Sequence, residues 1–212
     1  MIPHVLKRFI VLEGIDGAGK STQMNLLFRA LSQMGLKVFA TREPGGTPIG
    51  ERIRKILLDK ACSDMCLRTE ALLYAASRAQ LVEQVVKPKV NDGYIVLCER
   101  YILSSIAYQA YGAGLEVEAV RQMNTFASKG VVPGLTILID LDPRFELRAR
   151  GADRIECRGI DYLDRVRQGY LKLASGDPSI RVVDGRMTID KVHHEILGLV
   201  SAFLNAAEEG RR

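Results

Sequence analysis

The sequence predicts an α/β fold, a five-stranded parallel sheet with helices on both faces. Three features predict it. Five short apolar runs are bounded by turn residues, longer amphipathic stretches separate them, and a glycine-rich loop follows the first run. Short, largely apolar runs bounded by turn residues suit strands buried in a parallel sheet. They are Phe9 to Leu12, Val38 to Ala40, Ile95 to Cys98, Leu135 to Ile139, and Ile180 to Val183. Leu26, Leu27, Ala30, Leu31 and Met34 recur at helical spacing, with Gly35 as the stop. Ile53, Ile56 and Leu57 continue that pattern in a second helix. Residues 69–87 form a third, which Pro88 ends. Val192, Ile196, Leu197, Val200, Phe203 and Leu204 give the last helix one apolar stripe. A sheet of this kind binds ligands at the carboxyl ends of its strands.

The 212 residues suit one domain, and 47% hydrophobic residues exclude a disordered chain. No apolar run approaches the length of a membrane span, and the N-terminal stretch lacks a signal-peptide pattern. The net charge of +5 is spread along the chain. A nucleic-acid binder would concentrate it, so neither nucleic acid nor membrane is expected as a partner. Cys62 and Cys66 have a metal-like spacing, but no second pair or nearby histidine completes a site. Cys62, Cys66, Cys98 and Cys157 therefore read as free thiols of a cytoplasmic protein. His4, His193 and His194 lie near the ends, away from other candidate ligands.

Gly14-Ile15-Asp16-Gly17-Ala18-Gly19-Lys20-Ser21 fits G-x-x-x-x-G-K-S/T, after an apolar strand and before a helix. This is the phosphate loop of the P-loop NTPase fold. Glycines let the backbone curl around phosphate, amide N–H groups point inward, and the helix N-terminus adds favourable potential. Gly14 to Thr22 thus form the expected ATP site. Lys20 is expected to supply mobile positive charge, and the Ser21 hydroxyl is the expected magnesium ligand. No guanine-reading Asn-Lys-x-Asp follows, which argues against a GTPase. Two strands end in an acid, at Glu99 and Asp140. Arg100 follows Glu99 at once, and this pairing suits a site holding both Mg²⁺ and a second phosphate. Asp184-Gly185-Arg186, after the last strand, is a candidate for adenine contact.

Three segments resemble the bacterial thymidylate kinase family: Phe9 to Thr22, Thr41 to Thr47 (Thr-Arg-Glu-Pro-Gly-Gly-Thr), and Glu99 to Gln109. The resemblance implies a homodimeric P-loop kinase that phosphorylates dTMP to dTDP with ATP. It assigns Asp16 to the deoxyribose 3′-hydroxyl, and Arg42, Glu43 and Pro44 to the turn beside the monophosphate. It implies that Tyr74 stacks on thymine and that Arg78 holds its edge. By the same resemblance Arg100 is expected to grip the dTMP phosphate, and Ser105, Tyr108 and Gln109 to form the base and sugar pocket. Glu99 stands where the family more often has aspartate. The alternatives are a kinase of another nucleoside monophosphate, or a P-loop regulatory ATPase.

Arg144, Arg148, Arg150, Arg154 and Arg158 crowd a segment containing Gly151. Phosphoryl transfer needs cations closing over the equatorial oxygens. Gly17 leaves the phosphate loop without an arginine, as in family members whose lid supplies one. Residues 142–160 are the expected lid, with Arg150 and Arg154 as its catalytic cations; sequence does not separate them from Arg148.

Overall fold

The computed structural model describes residues 4–146, 154–155 and 158–209. Strand β1 (His4–Glu13) leads through the phosphate loop into α1 (Lys20–Gln33), then β2 (Val38–Arg42) and α2 (Pro48–Leu58). A 3-10 turn (Lys60–Cys62) precedes α3 (Leu67–Leu81), a π-helical turn (Val82–Val86) and α4 (Lys87–Asn91). Strand β3 (Ile95–Glu99) is followed by α5 (Ile102–Ser105), a π-helical segment (Ile106–Gly112) and α6 (Val117–Ser128). Strand β4 (Val131–Asp140), a 3-10 turn (Pro143–Glu146), α7 (Ile160–Ser175), β5 (Ile180–Asp184) and α8 (Ile189–Glu209) complete the chain.

The strands form the expected five-stranded parallel sheet, in the order β2-β3-β1-β4-β5. Successive side chains of β1 take opposite faces. Ile10 and Leu12 pack with Leu27 and Leu31 of α1 and Ile196 and Val200 of α8. Phe9 and Val11 pack with Leu81, Val82 and Val86 on the other side. Burial on both faces is why Phe9 to Leu12 and Ile95 to Cys98 are apolar at every position, whereas the edge strands β2 and β5 are partly exposed. Parallel pairing brings Glu13, Arg42, Glu99, Asp140 and Asp184 to one edge of the sheet.

Pro88 does not end the third helix. The Lys87 N–H bonds to the Val82 carbonyl, a wide π turn that breaks the normal ladder. Pro88 then falls in the first turn of α4, where no intrahelical N–H is needed. In α2 the apolar spacing is only partly used: Leu57 is buried, whereas Ile56 is exposed.

Helix α7 packs closely on the π-helical segment because each carries a glycine at the contact, Gly169 and Gly112. A Cβ on Gly112 would lie 2.6 Å from Val166 Cγ2, and one on Gly169 would lie 2.6 Å from Tyr111 Cβ. This contact positions Tyr108 and Gln109 on the segment and Tyr162 and Tyr170 on the helix. Gly169→Ala should therefore destabilise by about 1–3 kcal/mol, opposite in sign to the usual Gly→Ala effect inside a helix. Urea unfolding measures it, and a gain in stability would contradict the close approach.

Candidate active site

The phosphate loop starts where β1 ends. Gly14 has φ +146°, and a Cβ there would lie 2.6 Å from the Ile139 carbonyl oxygen, so only glycine fits. Gly19, in the left-handed region, caps α1. Lys20 is buried and its Nζ donates to the Ile15 carbonyl at 2.7 Å. Burial, with help from nearby Arg100, lowers its pKa to about 8.

The Ser21 Oγ donates to Glu99 Oε2 at 2.8 Å. These are two hard oxygen donors at the mouth of the loop. Mg²⁺ commonly takes one or two protein oxygens and completes its shell with phosphates and water, so the pair fits that ion. Asp140, the other strand-end acid seen in the sequence, is engaged elsewhere. It accepts a bidentate pair from Arg167, at 2.7 and 2.8 Å. Asp184 is likewise paired with Arg186.

Arg100 joins the loop to a neighbouring cleft. Its backbone is left-handed, with φ +69°, which turns the side chain back across the strand ends. The guanidinium donates to Asp16 Oδ1 at 2.5 Å, Gly14 O at 2.9 Å, Ser104 Oγ at 3.1 Å and Tyr108 Oη at 3.2 Å. Tyr108 Oη in turn donates to Asp16 Oδ2 at 2.9 Å. Burial opposes the charge of Asp16, but Arg100, Lys20 and these hydrogen bonds outweigh it and hold the carboxyl at about 2. Burial pushes the Tyr108 phenol well above its ordinary range, so it serves as a neutral donor.

The cleft is open to solvent and is lined by Asp16, Glu43, Pro44, Arg54, Leu58, Tyr74, Arg100, Ser104, Tyr108, Gln109 and Ile155. The structure thus brings together Asp16, Glu43, Pro44, Tyr74, Arg100, Tyr108 and Gln109. Other sequence-based expectations are changed. Arg78 lies behind the wall, 1% exposed, and its N–H groups go to Glu43 Oε2, Ser105 Oγ, Asn124 Oδ1 and the Tyr101 carbonyl. Ser105 is buried with it. Arg42 faces an adjoining groove with Ser21 and Glu99, where Glu51 pairs with it at 3.3 Å. Arg154 is held by its partners, Leu57 O at 3.0 Å and Glu70 Oε2 at 2.7 Å. Arg148 and Arg150 lie outside the described residues.

The family model described as Thymidylate kinase matches residues 12–196. The chain belongs to the thymidylate kinase family. It is 46% identical over 209 residues to a protein named thymidylate kinase from Pelotomaculum thermopropionicum, covering 96% of this chain and 97% of the relative. The thymidylate kinase of Desulforudis audaxviator is 52% identical over 175 residues, covering 80% and 79%. That of Thermosipho africanus is 44% identical over 201 residues, covering 93% and 100%.

Four residues of this thymidylate kinase fold escaped sequence reasoning. Arg54 of α2 lines the cleft and donates to the Pro44 carbonyl at 3.1 Å. Glu13 is fully buried. Its Oε1 accepts from the Tyr101 N–H at 2.8 Å, and its Oε2 from Ser104 Oγ at 2.6 Å and Tyr170 Oη at 2.9 Å. It therefore fixes the backbone just after Arg100. The signal was present: β1 ends in an acid, as β3 and β4 do. Tyr170 and Glu70 carried no local signal.

Glu43 carries a pH dependence. Burial raises it to about 7 against the opposing pull of Arg78, and its buried Oε1 has no partner among the described residues. The folded chain keeps a proton that the unfolded chain releases above its ordinary carboxylate range. The stabilisation is present at low pH and lost as pH rises toward 7. Urea unfolding from about pH 5 to about pH 7.5 should show wild type losing stability, and Glu43→Gln should remove that share of the slope. Equal slopes in the two proteins would contradict it.

Proposed function

We propose that the chain transfers the γ-phosphoryl group of ATP to dTMP, giving ADP and dTDP in nucleotide biosynthesis. The observation that carries this reading is Arg100, which is bonded at once to the phosphate loop, at Gly14 O and Asp16, and to the wall of the cleft, at Ser104 and Tyr108. A donor phosphate on the loop and an acceptor phosphate in the cleft would meet at that guanidinium. Family membership favours dTMP over other monophosphates, and a kinase over a regulatory ATPase.

In this reading Gly14 to Thr22 cradle the ATP phosphates and Lys20 leaves the Ile15 carbonyl to follow the transferring group. Arg100, with Arg54 beside it, binds the acceptor phosphate. A phosphate monoester is largely ionised near neutral pH, so no strong base is needed. Tyr74 and Pro44 supply apolar walls for thymine, and Asp16 and Tyr108 meet the sugar. Arg78 acts on the base only by releasing one of its internal acceptors; otherwise it holds Glu43 and Ser105 in place. Ser21 and Glu99 would hold Mg²⁺, which supplies charge neutralisation at the donor phosphates. Arg150 and Arg154 belong to the proposed lid over residues 142–160.

The proposed assembly is a cytoplasmic homodimer of single-domain protomers. Leu72 of α3 and Phe126 of α6 are 59% and 81% exposed on helices that pack side by side, an apolar surface suited to a second copy. Cys62, Cys66 and Cys98 are free thiols, in keeping with a reducing compartment.

Calorimetry tests the reading. Arg100→Ala should weaken dTMP binding far more than binding of a non-hydrolysable ATP analogue. Lys20→Ala should instead lower kcat by about 10²-fold or more with dTMP binding nearly intact. Equal losses of both ligands in Arg100→Ala would overturn the assignment of the cleft to the acceptor.

A further inference from the structure

Glu70 joins two parts of the site that the reaction must coordinate. It lies on α3, one helical turn before Tyr74, and is fully buried. One carboxylate oxygen, Oε1, accepts from Gln109 Nε2 at 3.1 Å. The other, Oε2, accepts from Arg154 Nη2 at 2.7 Å and from Arg158 Nη2. Arg158 also donates to Tyr162 Oη at 3.0 Å, and Tyr162 Oη donates to the Tyr108 carbonyl at 3.1 Å. The carboxylate thus ties the wall of the cleft to the arginine segment.

The consequence lies in the amide. A glutamine has one donating and one accepting arm, and a carboxylate only accepts. With Nε2 committed to Glu70, the arm that Gln109 keeps for the cleft is its carbonyl oxygen. That oxygen matches a base edge bearing an N–H, such as the N3–H of thymine, and opposes cytosine, whose N3 carries a lone pair. We infer that Glu70 is the specificity-positioning residue of this site: it sets the Gln109 amide to accept from an imide-type pyrimidine and holds Arg154 and Arg158 against the same wall. This inference rests on the reading that the cleft takes the base. Glu70 itself does not line the cleft, so it selects the substrate through Gln109.

The test is steady-state kcat/KM for dTMP and dCMP, with thermal unfolding alongside. It uses wild type, Glu70→Gln, Gln109→Ala and the double variant. The Glu70→Gln amide can donate to the Gln109 carbonyl and so allows the Gln109 amide to turn over. The dTMP-to-dCMP ratio should then fall about tenfold or more. Gln109→Ala should compress the ratio as well, and adding Glu70→Gln to it should compress it no further, because the first acts through the second. If Glu70→Gln does not fold, Glu70→Asp decides. It keeps the charge for the arginines but draws the carboxylate back by about 1.5 Å, out of reach of Nε2, and should lower the ratio too. A ratio unchanged in the Glu70 variants but compressed in Gln109→Ala overturns the inference. So does a parallel fall for both substrates together with Tm, which would make Glu70 merely structural. A ratio unchanged in Gln109→Ala overturns the base-pocket reading itself.

Discussion

The Arg100 guanidinium lies between Asp16 of the phosphate loop and Tyr108 of the cleft wall, and the rest of the site is arranged around that bridge. Its backbone is left-handed, a conformation that costs a non-glycine residue about 1–3 kcal/mol. Charge-assisted hydrogen bonds on the side chain offset that cost. Glu13 secures the same turn from below by accepting the N–H groups of Tyr101 and Ser104. A cation positioned before substrate arrives needs no reorganisation when negative charge develops beside it.

Three carboxylates are buried among the described residues, and each is matched to donors in a different way. Glu13 is met by two backbone N–H groups and two hydroxyls. Glu43 faces Arg78 across a buried ion pair, and its second oxygen has no partner among the described residues. Glu70 is shared by two arginines and an amide. Leaving a buried charge without its partner is expensive, so these groups fix geometry more than they add stability. The three lie behind Arg100, beside the turn at Pro44 and behind the cleft wall at Gln109, the positions where a small displacement of a neighbouring side chain would matter most.

The parts legible in the sequence were those set by local chemistry. The phosphate loop could be read because its glycines, lysine and serine meet one ligand over a few consecutive residues. The strands could be read because burial on both faces removes polar residues from Phe9 to Leu12 and from Ile95 to Cys98. The turn from Arg42 to Thr47 carried enough composition to point to the family. What depended on long-range pairing was not legible. Glu13 and Tyr170 meet although they are 157 positions apart. Glu70 and Arg154 meet across 84 positions. Tyr74 and Arg78 share a helix, yet Tyr74 lines the cleft whereas Arg78 is consumed by internal acceptors. Four-residue spacing could not reveal that difference, because it arises from Glu43, Tyr101 and Asn124 on other elements. Pro88 misled for a related reason: the π turn that accommodates it leaves no signature in apolar periodicity.

The bridge at Arg100 can be tested by a double-mutant cycle on kcat/KM for dTMP, using Asp16→Asn and Arg100→Lys. If Asp16 acts by holding the guanidinium between loop and cleft, the second substitution should cost much less once the first is present. The coupling should be about 1 kcal/mol or more, as for charged groups in direct contact. Additive losses would mean that the two residues act independently, and would contradict the account of a site built around their contact.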